Sequence, residues 1–96
     1  MRPSPLLPRV HFFVCANRRE PDSPLGPGCS AAGEELVSTL KRLVIQSGQA
    51  QSVWVTETRC LGVCPSKGAT VAIYPRSTIV SEVLATDAAA LFENAT

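Results

Sequence analysis

Val10-His-Phe-Phe-Val-Cys15 is a run of β-branched and aromatic residues set off by Pro8, the composition of a buried central strand. The segments on its C-terminal side decide the architecture. Ala16 to Gly28 contains Pro21, Pro24, Pro27, Gly26 and Gly28, a density of breakers that forbids helix and strand and makes a long loop. From Ser30 to Ser47 the pattern turns helical, with Leu36, Val37, Leu40, Leu43 and Val44 on one face. Ser30 suits the cap, Glu34 and Glu35 the early turns, and Gly48 the stop. Ser52-Val-Trp-Val-Thr-Glu-Thr58 reads as a second strand. Strand, helix, strand is a βαβ unit, which favours parallel pairing through a right-handed crossover.

Downstream, Arg59 to Gly68 is a second loop. Ala69-Thr-Val-Ala-Ile-Tyr74 reads as a third strand ended by Pro75, and Arg76 to Val80 as a short antiparallel fourth. Ser81 to Leu84 reads as a turn, and Thr86 to Asn94 as a short helix capped by Thr86, with Asp87 in its first turn and Leu91 and Phe92 facing inward. The expected fold is therefore α/β (α+β): a four- to five-stranded mixed sheet with two main helices, in the order of thioredoxin-like folds. Residues 1–9 read as a flexible leader and 10–96 as one domain.

Composition narrows the function. Ninety-six residues with 45% apolar content make one domain with a modest core. Nine Lys and Arg against eight Asp and Glu argue against a nucleic-acid binder, and 5% aromatics against a stacking platform for single strands. His11 is the one histidine, which weakens His-rich metal sites and His-centred triads. No stretch reaches the ~18–20 apolar residues of a membrane span. The proline-broken start lacks the apolar core of a secretion signal, so the expected compartment is the cytoplasm, where stable disulfides are rare. No glycine-rich phosphate loop is present, and the length leaves no room for a flavin or nicotinamide site.

The four cysteines carry the chemistry. Cys15, Cys29, Cys60 and Cys64 lie at loop edges or in loops, away from the helix stripe and strand centres. In Cys60-Leu-Gly-Val-Cys64 the intervening Gly62 lets the chain curl so that both thiolates address one metal. A [2Fe–2S] cluster takes four thiolates, two on each iron, and soft thiolates select such clusters, zinc or copper(I). Other uses stand beside it. Structural zinc favours two short two-residue knuckles, whereas here the spacings are three and thirteen. Two disulfides, or the redox couple of a thioredoxin-like thiol protein, meet a cytoplasmic context and the lack of a Cys-x-x-Cys pair. Four unrelated thiols are the remaining reading.

Arg59-Cys-Leu-Gly-Val-Cys64 followed by Gly68-Ala-Thr-Val-Ala-Ile-Tyr-Pro75 resembles the thioredoxin-like [2Fe–2S] ferredoxins (the Shethna-type group). The first strand ending in a cysteine, the second cysteine just before a long helix, and Val80, Val83, Asp87 and Leu91 are similar to that family as well. The resemblance runs from about Val10 to Asn94. It implies a homodimeric one-electron carrier, not an enzyme, serving redox partner proteins. It implies a cluster near the surface, with Cys15 and Cys29 on one iron and Cys60 and Cys64 on the other. Ala69 stands where many members have proline, and Pro65 directly follows the last cysteine. Backbone N–H groups of Ala16 to Arg18 and Leu61 to Cys64 would stabilise the cluster's charge. Arg18, Arg59 and Lys67 are near the cysteines in sequence. His11 and Trp54 read as structural strand residues.

Overall fold

The computed structural model describes residues 1–17, 30–59, 61 and 67–96. Strand β1 (Val10–Cys15) leads to helix α1 (Ser30–Gln46), then β2 (Val53–Thr58), β3 (Ala69–Tyr74), β4 (Thr78–Val83) and helix α2 (Ala88–Ala95). The four strands form one mixed sheet in the order β2-β1-β3-β4. β1 runs parallel to β2 and antiparallel to β3, and β3 and β4 form an antiparallel hairpin.

Alternation sorts the sheet into two faces. Val10, Phe12 and Val14 of β1, Val53 of β2, Ala69, Val71 and Ile73 of β3, and Val83 of β4 point to one side. There they meet Leu36, Val37, Leu40 and Val44 of α1 and Ala88 and Phe92 of α2 in a single core. Both helices therefore cover the same face. The opposite face carries His11, Phe13, Trp54, Tyr74 and Ile79. His11 stacks on Phe13 at 3.9 Å between ring centroids, and Trp54 and Tyr74 meet this pair edge-on.

The C-terminal end of α1 follows the sequence signal, while Ser30, the expected cap, is the first residue of the helix. Gly48 adopts φ +72°, its N–H donates to the Ile45 carbonyl, and the Gln49 N–H donates to the Val44 carbonyl. That pair of bonds is the Schellman arrangement, which needs a left-handed residue after the helix and finds it in glycine.

Two readings need correction at the C-terminal side. β4 continues to Val83, where a turn over Ser81 to Leu84 is expected. Val83 pairs with Ala69 and is buried, and a register shift between Ala69 and Val71, with Glu82 at φ +57°, absorbs the polar residues. The Ser81-Glu82 pair therefore marks a bulge inside a strand, a feature whose polarity imitates a turn. The last helix does not begin on a Thr86 cap. A 3-10 turn, Ala85–Asp87, precedes α2, and the Asp87 carboxylate accepts the Leu84 N–H at 2.9 Å. Asp87 thus supplies the side-chain acceptor that closes this entry. Arg76 donates to the Asn94 carbonyl at 3.2 Å and Arg9 to the Thr96 carbonyl at 3.3 Å, tying the C-terminal end to the sheet side of the molecule.

Leu40 lies fully buried at the centre of the helix stripe. Leu40→Ala is expected to lower unfolding free energy by about 3 kcal/mol, whereas the exposed neighbour in Lys41→Ala changes it by less than about 0.5 kcal/mol. Urea denaturation of both variants checks the contrast, and equal losses would contradict this core.

Candidate metal centre

The topology gathers four chain segments at one end of the sheet. β1 and β2 are parallel, so their C-terminal ends lie side by side, with Cys15 in register with Thr58. The Ala16 N–H donates to the Thr58 carbonyl at 2.9 Å, extending that pairing one residue past the strand. β3 is antiparallel to β1, so its first residues arrive at the same end, with Val14 opposite Val71. α1 returns across the sheet, and Gly33 in its first turn lies against the Cys15 and Ala16 backbone.

Of the predicted ligands, Cys15 lies in one of these segments, and the other three adjoin them or fall between them in sequence. Cys15 ends β1, its residue fully buried and its thiol free of any disulfide. Cys29 directly precedes Ser30, the first residue of α1, and Cys60 directly follows Arg59 after β2. Cys64 lies in the stretch between β2 and β3. Cys29, Cys60 and Cys64 fall outside the described residues, as do Arg18, Gly62 and Pro65. Among the described residues no three His, Cys, Asp or Glu side chains come together as a metal group. Leu61, between Cys60 and Gly62, is described, and it packs half-buried against the core.

The backbone around this end is closely fitted. Thr58 donates its hydroxyl to the Arg59 carbonyl at 2.8 Å, with the Val14 carbonyl 3.4 Å away. Gly68 enters β3 at φ +70°, and a Cβ there would sit 2.7 Å from the Glu82 carbonyl carbon and 2.8 Å from the Val83 oxygen. The sequence motif places a glycine at this position, and the left-handed turn against β4 supplies its physical reason. A recess of about 270 Å³ beside the end of β1 is lined by Ala16, Glu34, Glu57, Thr58 and Arg59. Arg59, near the cysteines in sequence, is near this end in space as well. Sequence reasoning misses Glu34 and Glu57, since their spacing from the cysteines gives no sign that α1 and β2 converge on Ala16. Lys67 is exposed just before Gly68.

The chemistry of the donor set fits a soft metal. Cys15 places one buried thiol where the described segments meet, the three further cysteines are near those segments in sequence, and thiolates select soft metals and iron–sulfur clusters. A larger groove of about 610 Å³ lies on the helix-free face, lined by Leu7, Pro8, His11, Phe13, Tyr74 and Pro75. It contains no thiol and stands apart from this chemistry. Trp54 is half-buried on that face, and His11 places Nε2 2.7 Å from the Thr56 hydroxyl oxygen.

The chain has the fold of the thioredoxin-like [2Fe–2S] ferredoxins. It superposes on the crystal structure of the wild-type thioredoxin-like [2Fe–2S] ferredoxin from Aquifex aeolicus with a TM-score of 0.80, at 22% identity, covering 92% of this chain and 85% of that one. Two cysteine-to-serine variants of the same ferredoxin match with a TM-score of 0.79 at 23% identity, each covering 88% of this chain and 84% of that one. No protein-family model matches the chain, and no curated protein matches it in sequence. Among the described residues no helix is long and apolar enough to cross a membrane.

Desolvation holds the His11 imidazole below its ordinary pKa. The unfolded chain therefore takes up the proton first as pH falls. Stability is expected to be level above about pH 7 and to decline from about pH 6.5 towards the lower folded-state value. Denaturant midpoints between about pH 5 and 8 should show this decline in the native sequence and a flatter profile in His11→Gln. Superimposable profiles would remove His11 as its source.

Proposed function

We propose that this protein is a one-electron carrier, a ferredoxin that holds a [2Fe–2S] cluster on Cys15, Cys29, Cys60 and Cys64. The observation that carries the reading is the convergence of the ends of β1 and β2, the start of β3 and the first turn of α1 at one end of a ferredoxin fold. Every cysteine of the chain belongs to one of those segments or to the stretch joining two of them. By the family resemblance, Cys15 and Cys29 serve one iron and Cys60 and Cys64 the other. When bound, the cluster supplies a single reversible electron transfer between its two oxidation levels.

The chain's own residues then hold and tune rather than react, and the protein is not an enzyme. The buried position of Cys15 keeps its sulfur out of water, which disfavours the more negative, reduced state. Glu34 and Glu57 add negative charge beside Ala16, and Arg59 adds a positive one. The carboxylates oppose reduction and the guanidinium favours it. Redox partner proteins, a cytoplasmic location and a homodimer complete the proposal. The helix-free face, uncharged over Phe13, Tyr74, Leu7 and Pro8, suits a second identical patch better than a charged partner.

Metal and sulfide analysis tests the reading. Anaerobically purified protein is expected to hold about two iron and two acid-labile sulfide per chain. Cys60→Ser is expected to lose most of both while keeping its far-ultraviolet circular dichroism. Zinc without sulfide would replace the carrier with a zinc-stabilised interaction module. Metal-free protein with a titratable disulfide would replace it with a thiol redox protein. Sedimentation equilibrium of the loaded protein should return twice the chain mass, and a monomer at high concentration would contradict the dimer.

A further inference from the structure

Gly33 occupies a place where the sequence argues against glycine. It lies inside a 17-residue helix, on the side that continues through Val37, Leu40 and Val44 into the core. Glycine is disfavoured in a helix relative to alanine, so alanine is the favoured residue unless space forbids it. Here space does. A Cβ on Gly33 would stand 2.0 Å from the Cys15 carbonyl oxygen and 2.9 Å from both the Cys15 carbonyl carbon and the Ala16 Cα. All three are backbone atoms, which cannot swing aside as a side chain does. Ordinary contact begins near about 3.5 Å, so an alanine would force the helix and the strand end apart by more than about an ångström.

Gly48, just past the end of the same helix, provides the contrast. It too is glycine for a reason, its φ of +72°, but a Cβ there would meet nothing within 4 Å. The requirement at Gly48 is backbone conformation, at the end of α1 opposite Gly33. The requirement at Gly33 is direct contact with the residue that carries the first predicted ligand.

We infer that Gly33 is a positioning residue of the metal centre, setting the separation between Cys15 at the end of β1 and the first turn of α1, whose preceding residue is Cys29. This rests on the electron-carrier reading and adds to it an element that fixes Cys15 against α1. A metal ligand must be held at the position the metal dictates, and a rigid backbone contact holds the Cys15 backbone in place without a side chain. Outer-shell groups that orient ligands by hydrogen bonds contribute about 10- to 100-fold to metal affinity, and the lower end of that range sets the scale expected for this steric support.

The test compares wild type, Gly33→Ala and Gly48→Ala as full chains. Each is reconstituted with iron and sulfide under one protocol. The rate of cluster loss to a chelator, the electron paramagnetic resonance spectrum of the reduced form and thermal unfolding are recorded. Alkylation of Cys15 is followed in the cluster-free proteins by peptide mass spectrometry. Gly33→Ala is expected to fold, to lose its cluster at least about tenfold faster, to show shifted g-values, and to expose Cys15 to faster alkylation. Gly48→Ala is expected to lose thermal stability with wild-type g-values and Cys15 alkylation. A loaded Gly33→Ala with wild-type cluster lifetime and spectrum overturns the inference alone. So does a Gly33→Ala chain that does not fold, because the glycine is then a requirement of the whole domain. Wild type that takes up no cluster overturns the carrier reading and this inference with it.

Discussion

The structure depends on the burial of β1. Phe12, Val14 and Cys15 are all at 0% exposure, and among the described residues β1 alone is paired on its two edges by strands of opposite sense, β2 parallel and β3 antiparallel. A parallel neighbour must arrive by a crossover, and α1 is that crossover. Its return path fixes where Ser30 and Gly33 lie. The antiparallel neighbour brings the start of β3 back to the end of β1. One strand thus determines that a helix start, two strand ends and one strand start share a single edge of the molecule. A chain of this size has one core, and the same contacts that stabilise it set the geometry of the cysteine-bearing end.

Much of this is legible in the sequence because the signals are periodic or punctuated. β1 and β3 have the bounds that their apolar runs predict, and α1 differs from its stripe by a single residue at the C-terminal end. Gly48 closes α1 as its position indicates. The misreadings fall where local chemistry imitates another structure. Ser81 and Glu82 are polar because they occupy a bulge, and Thr86 is a suitable cap that loses to the Asp87 carboxylate three residues beyond Leu84. Cys15 differs in kind: its place at a loop edge is evident, yet it is also part of the core, which a loop-edge position does not announce.

The site is legible in its residue types and less so in its supports. Four cysteines and the Cys-Leu-Gly-Val-Cys motif point to thiolate chemistry by composition alone. The closeness of Gly33 to Cys15 joins residues on two elements, and no spacing rule connects them. The available signal is a glycine in line with a helix core stripe, where the intrinsic preference is for alanine. Glu34 and Glu57 flank the same end for the same reason, since tertiary crossing and not sequence distance brings them there. The distribution is physically sensible: ligand identity is a property of side chains, whereas ligand spacing is a property of backbone contacts.

Whether this fold holds a redox-active cluster on its four thiolates is decided by the visible absorption spectrum of anaerobically purified full-length chain, before and after dithionite. The ferredoxin reading predicts broad bands between about 400 and 600 nm that partly bleach on reduction. A flat spectrum in both states, from protein purified and reconstituted with its four thiols reduced, would contradict it.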